Sequence, residues 1–164
     1  MNIFVTDSCP TQCAINLDDK RLNKMIVESC QLLSTTVHKL APSLAHGLYK
    51  QTHANHPCAK WLRKSYGNYI WLIEHTNALL AEYEWRFNKT HLSKLTFIIL
   101  DKLDISSYYD LFRLTPFANV SLTKTSNVCY NKIFIDYRYT MINKWNTTPA
   151  KWTNRHRPDW YNGN

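Results

Sequence analysis

Glycine and long apolar runs are both scarce in this chain. Only 3 of its 164 residues are glycine, while 45% are hydrophobic and 20% are charged, which excludes collagen-like, low-complexity and disordered chains. The longest aliphatic run covers residues 97–100, far short of the roughly 20 residues that span a bilayer. The first residues also lack the layout of a signal peptide. We therefore expect one folded domain over residues 1–164, in the cytoplasm and not in a membrane.

The cysteines form no CxxC pair. Their odd number and wide spacing favour reduced thiols over a disulfide framework or a four-cysteine zinc site. A metal site built from Cys9 and Cys13 with His53 and His56 would have a spacing that matches no standard metal template. We therefore expect neither a metal nor another cofactor. The five cysteines are Cys9, Cys13, Cys30, Cys58 and Cys129.

Acidic residues are outnumbered by basic ones, 12 against 20, which gives a formal net charge of +8. A positive field of this kind attracts polyanions, and the attraction weakens as salt is added and does not depend on the sequence of the polyanion. Nucleic acid and an anionic membrane both qualify as partners. No long basic helix with a separate apolar face for lipid insertion is apparent, so nucleic acid is favoured. Charge alone is equally compatible with an ordinary soluble basic protein.

Helical periodicity of the apolar residues predicts an all-α fold, arranged as a single compact domain. The clearest pattern covers residues 17–40, where Leu22, Met25 and Ile26 begin a buried stripe. Asn16 or Asp18 is available to cap this helix at its start.

A second helix is predicted over residues 57–87. Pro57 favours its start, because proline is well tolerated at the first helical position, and Gly67 marks a place where it can bend. The other segments are predicted from periodicity and helix breakers. They comprise an irregular N-terminal arm over residues 2–10, a loop over 41–56, helices over 92–103, 106–112 and 127–145, and an aromatic and basic tail over 144–164.

One face of the first predicted helix carries a carboxylate between cations. Arg21, Lys24, Glu28 and Gln31 follow one another at spacings of three, four and three, so they share a face that is offset from the buried stripe. Such a carboxylate can act as a general acid or base, or stabilise an oxocarbenium cation, while Arg and Lys hold phosphates. The same spacing also describes an ordinary solvated face with a Lys–Glu pair.

Two further segments allow a binding interpretation and a structural one. His56 precedes a helix start, where free N–H groups bind anions and a histidine can contact a phosphate, but it can equally cap the helix. In the tail, Arg157, Trp160 and Tyr161 can contact phosphates and bases, or the aromatic rings can pack on the core. The residues alone leave both alternatives open.

Three blocks, in order, resemble the pyrimidine-dimer DNA glycosylase family, typified by the phage endonuclease V enzymes. They are the helix-one segment over residues 17–29 with Gln31, Leu32 and Leu33; Asn55-His56-Pro57 leading into Trp61 and an aromatic helix that ends near residues 84–87; and the terminal Arg157-Pro158-Asp159-Trp160-Tyr161.

This resemblance implies an all-helical enzyme that grips DNA around a lesion, extrudes a base and cleaves its glycosidic bond. Glu28 then corresponds to the family's catalytic acid, and the N-terminal α-amine to its nucleophile, which forms a Schiff base at the sugar C1′. Arg21 and Lys24 become phosphate or sugar contacts. Trp160 and Tyr161 match an aromatic segment that lies against the DNA, here expected to be a duplex with an altered base.

Two departures from the family pattern leave the chemistry open. Asn2 is large for a second residue, so Met1 is expected to be retained and the amine to lie one residue further out. The nucleophile is then Met1, or Lys20 or Lys24 in its place, or the enzyme uses Glu28 and water without a lyase step. Val27 replaces an arginine next to the acid, so the target is either a pyrimidine dimer or another modified base. The alternative from another class is a non-catalytic DNA-binding or interaction protein, of viral type, on the same scaffold.

Overall fold

The computed structural model describes residues 1–122 and 131–162, and all regular structure in these residues is helical. The predicted all-α class is therefore confirmed. The α-helices are α1 (Pro10–Asn16), α2 (Asp19–Leu40), α3 (Pro57–Lys64), α4 (Tyr66–Phe87), α5 (Lys94–Lys102) and α6 (Lys132–Thr147), with short 3₁₀ turns at Pro42–Leu44 and Ser106–Tyr108.

Helix α2 is the element that the sequence predicted best. It begins at Asp19 and ends at Leu40, against a prediction of residues 17–40, and the expected stripe from Leu22 to Leu33 is buried. Its N-cap residue Asp18 makes no capping hydrogen bond with its side chain. That buried carboxylate instead accepts hydrogen bonds from more distant partners.

The single helix predicted over residues 57–87 is wrong, because the chain breaks at Ser65. This residue has extended backbone (φ −154°, ψ 142°), and its hydroxyl accepts a hydrogen bond from the Gly67 N–H while donating to the Leu111 carbonyl. A Cβ on Gly67 would lie 2.6 Å from backbone atoms of residues 112–114. Gly67 therefore lets the loop over residues 112–114 pass close to the start of α4. The break between the two helices lies two residues earlier, at Ser65.

Three other boundaries differ from prediction. Helix α1 begins at Pro10, the last residue of the expected irregular arm, and continues over residues 11–16, for which no helix was predicted; Cys13 and Ala14 are buried, and residues 2–9 form no helix or strand, as expected. The short helix expected over residues 106–112 is only the 3₁₀ turn Ser106–Tyr108. The last helix runs over Lys132–Thr147, and residues 127–130 of its predicted range lie outside the described residues.

A buried cation joins the tail to the helices. Arg86 is fully buried and donates to Glu82 Oε1 (2.7 Å), the Leu17 carbonyl (2.7 Å) and Asp19 Oδ1 (3.1 Å). Arg155 from the tail reaches both oxygens of the same Glu82 at 2.8 Å. Although burial raises the pKa of Glu82, hydrogen bonds from Arg155 and Arg86 hold that pKa below its ordinary value. The tail is thus attached by charges that are fully hydrogen-bonded.

In the part of the chain that the structure describes, no helix combines the length and hydropathy needed to cross a bilayer.

Candidate active site

The beginning of the N-terminal arm contacts Glu28. The backbone N–H of Asn2 donates to Glu28 Oε2 at 2.8 Å, across 26 residues of sequence. Met1 and Asn2 are half-buried, and the Glu28 side chain is only 13% exposed. The carboxylate on the basic face of α2 is therefore held beside the start of the polypeptide, in a sheltered position.

A tight turn gives the arm this direction. The side-chain oxygen of Asn2 accepts hydrogen bonds from the N–H groups of Ile3 (2.8 Å) and Phe4 (3.1 Å). Phe4 has φ +51°, in the left-handed region that non-glycine residues rarely adopt. Its ring is buried edge-on against Tyr137 of α6, with centroids 6.2 Å apart. Packing thus holds a strained backbone, and the Asn2 side chain compensates the strain locally.

Two side chains from α4 and α6 donate hydrogen bonds that hold the arm further along. Arg138 of α6 donates from Nε to the Thr6 carbonyl at 2.9 Å. His75 of α4 is fully buried and donates from Nδ1 to the Pro10 carbonyl at 2.8 Å. Burial lowers the pKa of His75 to about 4, against the opposing effect of hydrogen bonds to the Pro10 and Ile3 backbone. His75 is therefore a neutral structural donor at physiological pH.

Lys24 supplies the nearest positive side chain to the acid. Its Nζ lies 3.4 Å from Glu28 Oε1, one helical turn away, and the lysine side chain is 67% exposed. An exposed pair of this kind adds little stability, which leaves the ammonium group able to exchange Glu28 for a phosphate. The pair expected for a solvated helix face is present, but its acidic member is sheltered and also contacts the arm.

His56 caps α3 and adjoins the same cluster. Its Nδ1 accepts a hydrogen bond from the Cys58 N–H at 3.2 Å, so the neutral ring carries its proton on Nε2. Burial lowers the pKa of His56; the positive α-amine and His53 lower it further, and Glu28 raises it. The capping interpretation is confirmed, and the α-amine and Glu28 are close enough to influence the pKa of His56.

Arg21 has a different environment from Lys24. Its guanidinium lies 3.0 Å from both oxygens of Asp18 and its side chain is only 13% exposed. The same Asp18, itself buried, accepts a hydrogen bond from the indole N–H of Trp145 at 2.9 Å. Asp18 thus links Arg21 of α2 to Trp145 of α6. Gln31, one turn beyond Glu28 on α2, is half-buried.

The aromatic tail residues pack together around α6. Trp160 stacks on Trp145 with ring centroids 5.3 Å apart, and Tyr161 contacts the same indole at 4.7 Å. The guanidinium of Arg157 lies 6.0 Å from the Tyr161 ring centroid. Both tail rings are half-buried, so the expected alternative of packing on the core is observed. They also form one wall of a cleft of about 1190 Å³.

Glu28 does not line this cleft. The structure therefore brings Met1, Asn2, Lys24, Glu28 and His56 together, and gathers Arg157, Trp160 and Tyr161 in a second place. Within residues 1–122 and 131–162, no group of three or more His, Cys, Asp or Glu side chains is arranged to hold a metal ion.

A family model described as pyrimidine dimer DNA glycosylase matches residues 1–95. The chain belongs to the pyrimidine dimer DNA glycosylase family. No curated protein and no solved structure matches the chain. The family resemblance seen in the sequence motifs is confirmed, and family membership makes DNA the partner of this protein.

In this family member the matched segment contains the whole Glu28 cluster, from Met1 through His56, while the aromatic tail lies beyond it. Sequence reasoning missed two residues of α6: Arg138, which holds the N-terminal arm, and Tyr139, which lines the cleft. It also missed the hydrogen bond between Asp18 and Trp145. One signal was available for Tyr139. The buried positions Tyr137, Met141 and Trp145 define one stripe of α6, and a residue two positions after Tyr137 falls on the other side of the helix.

Proposed function

We propose that this protein is a DNA N-glycosylase that releases a damaged or modified pyrimidine base, with Glu28 as its catalytic carboxylate. The observation that carries the proposal is the 2.8 Å contact between Glu28 and the nitrogen of residue 2. It supports a site in which an acid and the start of the chain face the same sugar. The family match supports the reaction class.

Glu28 would act on the sugar rather than on the base. As the bond between C1′ and the base nitrogen breaks, the electron pair leaves with the base and positive charge develops on the sugar. A carboxylate beside C1′ stabilises that charge, and it can also take a proton from an attacking water. Lys24, 3.4 Å from the acid, would hold an adjacent phosphate, and His56 would offer its Nε2–H as a neutral donor.

The identity of the nucleophile decides whether a lyase step follows. With Met1 present, the Asn2 nitrogen that contacts Glu28 is an amide nitrogen, which cannot form a Schiff base. If Met1 is removed, that same nitrogen becomes the α-amine and lies against the carboxylate without any rearrangement. A Schiff base at C1′ would then permit β-elimination at the abasic site. With Met1 retained, the water route operates, or the Met1 or a lysine amine reaches the sugar.

The DNA is proposed to be a duplex with an altered base. Lys24 and His56 would contact the strand beside Glu28, and Arg157, Trp160 and Tyr161 would contact it at the tail. The positive net charge of +8 supports salt-dependent binding around the reactive nucleotide.

A Glu28→Gln variant tests the proposal. Wild type and variant are incubated with duplexes that carry a pyrimidine dimer or a modified pyrimidine, and base release and dissociation constant are measured at one salt concentration. We expect release to fall by about 100-fold or more while DNA affinity changes little. Glu74→Gln, an exposed glutamate of α4, is the matched control and should keep wild-type release.

Two outcomes would overturn this assignment. Equal release by Glu28→Gln and wild type removes Glu28 from the mechanism. Salt-dependent binding by wild type without release from any substrate favours the non-catalytic DNA-binding alternative. Borohydride trapping with mass spectrometry then identifies the amine: a cross-link at residue 1, residue 2 or a lysine supports the lyase route, and abasic product without a cross-link supports the water route.

A further inference from the structure

Helix α5 is apolar on two opposite sides. Its inward side packs into the core through Phe97 and Leu100, which are buried. A helix that is apolar all round is normally covered on every side, and a contiguous exposed apolar patch marks an interaction site. The other side, called here the outward face of α5, consists of four exposed aliphatic side chains at helical spacing: Leu92, Leu95, Ile98 and Ile99.

A small groove between α4 and α5 adjoins the outward face. It is lined by Leu80 and Ala81 of α4 and by Phe97 and Ile98 of α5, together with charged side chains from both helices. Its volume of about 270 Å³ lies below the 300–1000 Å³ typical of small-molecule pockets. The groove therefore suits an inserted side chain better than a whole ligand, and the occupant that fits this surface is another polypeptide.

The charges beside the outward face are complementary to a second copy of the same helix. Lys94 and Asp101 are seven residues apart, close to two helical turns, so they lie on one flank of the face. When two identical helices pack antiparallel about a two-fold axis, this flank meets its own copy in reverse order. Lys94 of each chain then lies opposite the partner's Asp101, and the flank satisfies its own charges twice.

Both charges are available for such contacts. Lys94 Nζ lies 2.6 Å from Glu84 Oε1, but both side chains are more than a third exposed, and an exposed pair of this kind adds little stability. An ammonium group has three donors and can bind a second carboxylate. Asp101 is exposed, and none of the ion pairs among the described residues includes it.

We propose that the protein forms a two-fold symmetric dimer through the outward face of α5, with the two α5 helices antiparallel. Burial of the aliphatic side chains stabilises the dimer, and the Lys94–Asp101 contacts set the helix direction. The patch is small beside the roughly 800 Å² that each partner buries in a stable interface. The dimer is therefore reversible, with a dissociation constant on the order of 10–100 μM.

This interface lies on the far side of α2 from the candidate active site. Two contacts mark the side of α2 that faces α5: Cys30 Sγ lies 3.9 Å from the Ser93 carbonyl, and Asn23 Oδ1 lies 3.1 Å from His91 Nε2. Glu28 is about 140–160° around the helix from Asn23 and Cys30, at 100° per residue. The dimer thus leaves both Glu28 clusters away from the contact, and it does not depend on the reaction proposed for Glu28.

Sedimentation equilibrium without DNA tests the dimer. From about 1 to 500 μM protein, the weight-average mass of wild type should rise from 19.4 kDa towards twice that value. Leu95→Glu places a charge in the contact from both chains and should weaken the dimer by about 10-fold or more. Leu122→Glu is the matched control, because Leu122 is 80% exposed and Leu95 is 72% exposed, and it should keep the wild-type dissociation constant.

Charge reversal tests the antiparallel arrangement. Asp101→Lys removes two intermolecular pairs from each dimer and brings like charges together, so it should weaken the dimer by about 2- to 30-fold. Asp110→Lys makes the same change in net charge at another exposed aspartate and should have no such effect.

A disulfide cross-link gives an independent measurement. Ile98 lies almost midway between Lys94 and Asp101, next to the proposed axis. In a background with Cys9→Ser and Cys129→Ser, Ile98→Cys should form a covalent dimer on oxidation with copper phenanthroline. Leu114→Cys, at a residue of similar exposure (47% against 43%), should form much less.

Three results would overturn the proposal. They are a monomer mass over the whole concentration range, equal dissociation constants for Leu95→Glu and Leu122→Glu, and equal cross-linking of Ile98→Cys and Leu114→Cys.

Discussion

Replacing Asn2 by leucine should release the N-terminal arm from Glu28. The Asn2 side-chain oxygen accepts two backbone hydrogen bonds, from Ile3 and Phe4, and leucine has no acceptor. Each such bond is worth about 0.5–1.5 kcal/mol net, so the turn loses about 1–3 kcal/mol. Phe4 would then have to keep its left-handed backbone, φ +51°, without this local compensation.

The expected result is a fall in single-turnover base release by about 5- to 150-fold, which is the same free energy expressed as a rate. DNA affinity should change much less, because the exposed cations are untouched. Asn2→Asp keeps the acceptor, although it adds a charge, and should lose less activity. Both substitutions keep a large second residue, and intact-mass measurement verifies that all three proteins have the same N-terminus.

Amide hydrogen exchange checks the same turn without any substrate. In Asn2→Leu the Ile3 and Phe4 amides should exchange faster by a factor similar to the loss of rate. Unchanged exchange at both amides together with an unchanged release rate would refute the idea that the Asn2 side chain positions the arm.

Three other perturbations follow from buried groups. Arg86→Leu leaves Glu82 buried with fewer partners and should lower the free energy of unfolding by about 3–5 kcal/mol in denaturant titration; a loss no larger than that of the partly exposed Arg155→Leu would contradict this. Because burial lowers the pKa of His75 from 6.5 to about 4, stability should be complete above pH 6.5 and fall by roughly 3 kcal/mol as the pH drops to about 4. His75→Gln should remove that pH-dependent loss, and an unchanged pH profile would count against it. Burial raises the pKa of the thiols of Cys13, Cys30 and Cys58 to about 12. The exposed Cys9 should therefore be alkylated by iodoacetamide at pH 8 well before these three, as peptide mass spectrometry can verify.

The local sequence pattern predicted those helices whose position depends only on residues within the helix and next to it. Helix α2 has an apolar stripe strong enough to define it from Leu22 onward, and the Lys24–Glu28 pair follows from helical geometry because its members are four residues apart. His56 and Pro57 likewise identify the start of α3, since capping and a missing N–H act within a few residues. The family motifs added the reaction class to these local features.

Contacts between distant segments decided the rest. The break at Ser65 depends on a loop near residue 111, and Asp18 pairs with both Arg21 and the distant Trp145 of α6. The arm reaches Glu28 because Phe4, Thr6 and Pro10 are held by α4 and α6. The sequence by itself determined which residues share a helix face, because that spacing is fixed by the backbone. Only the tertiary structure decided which of them are sheltered, paired or open to DNA, because burial and pairing depend on segments that come together only when the chain packs.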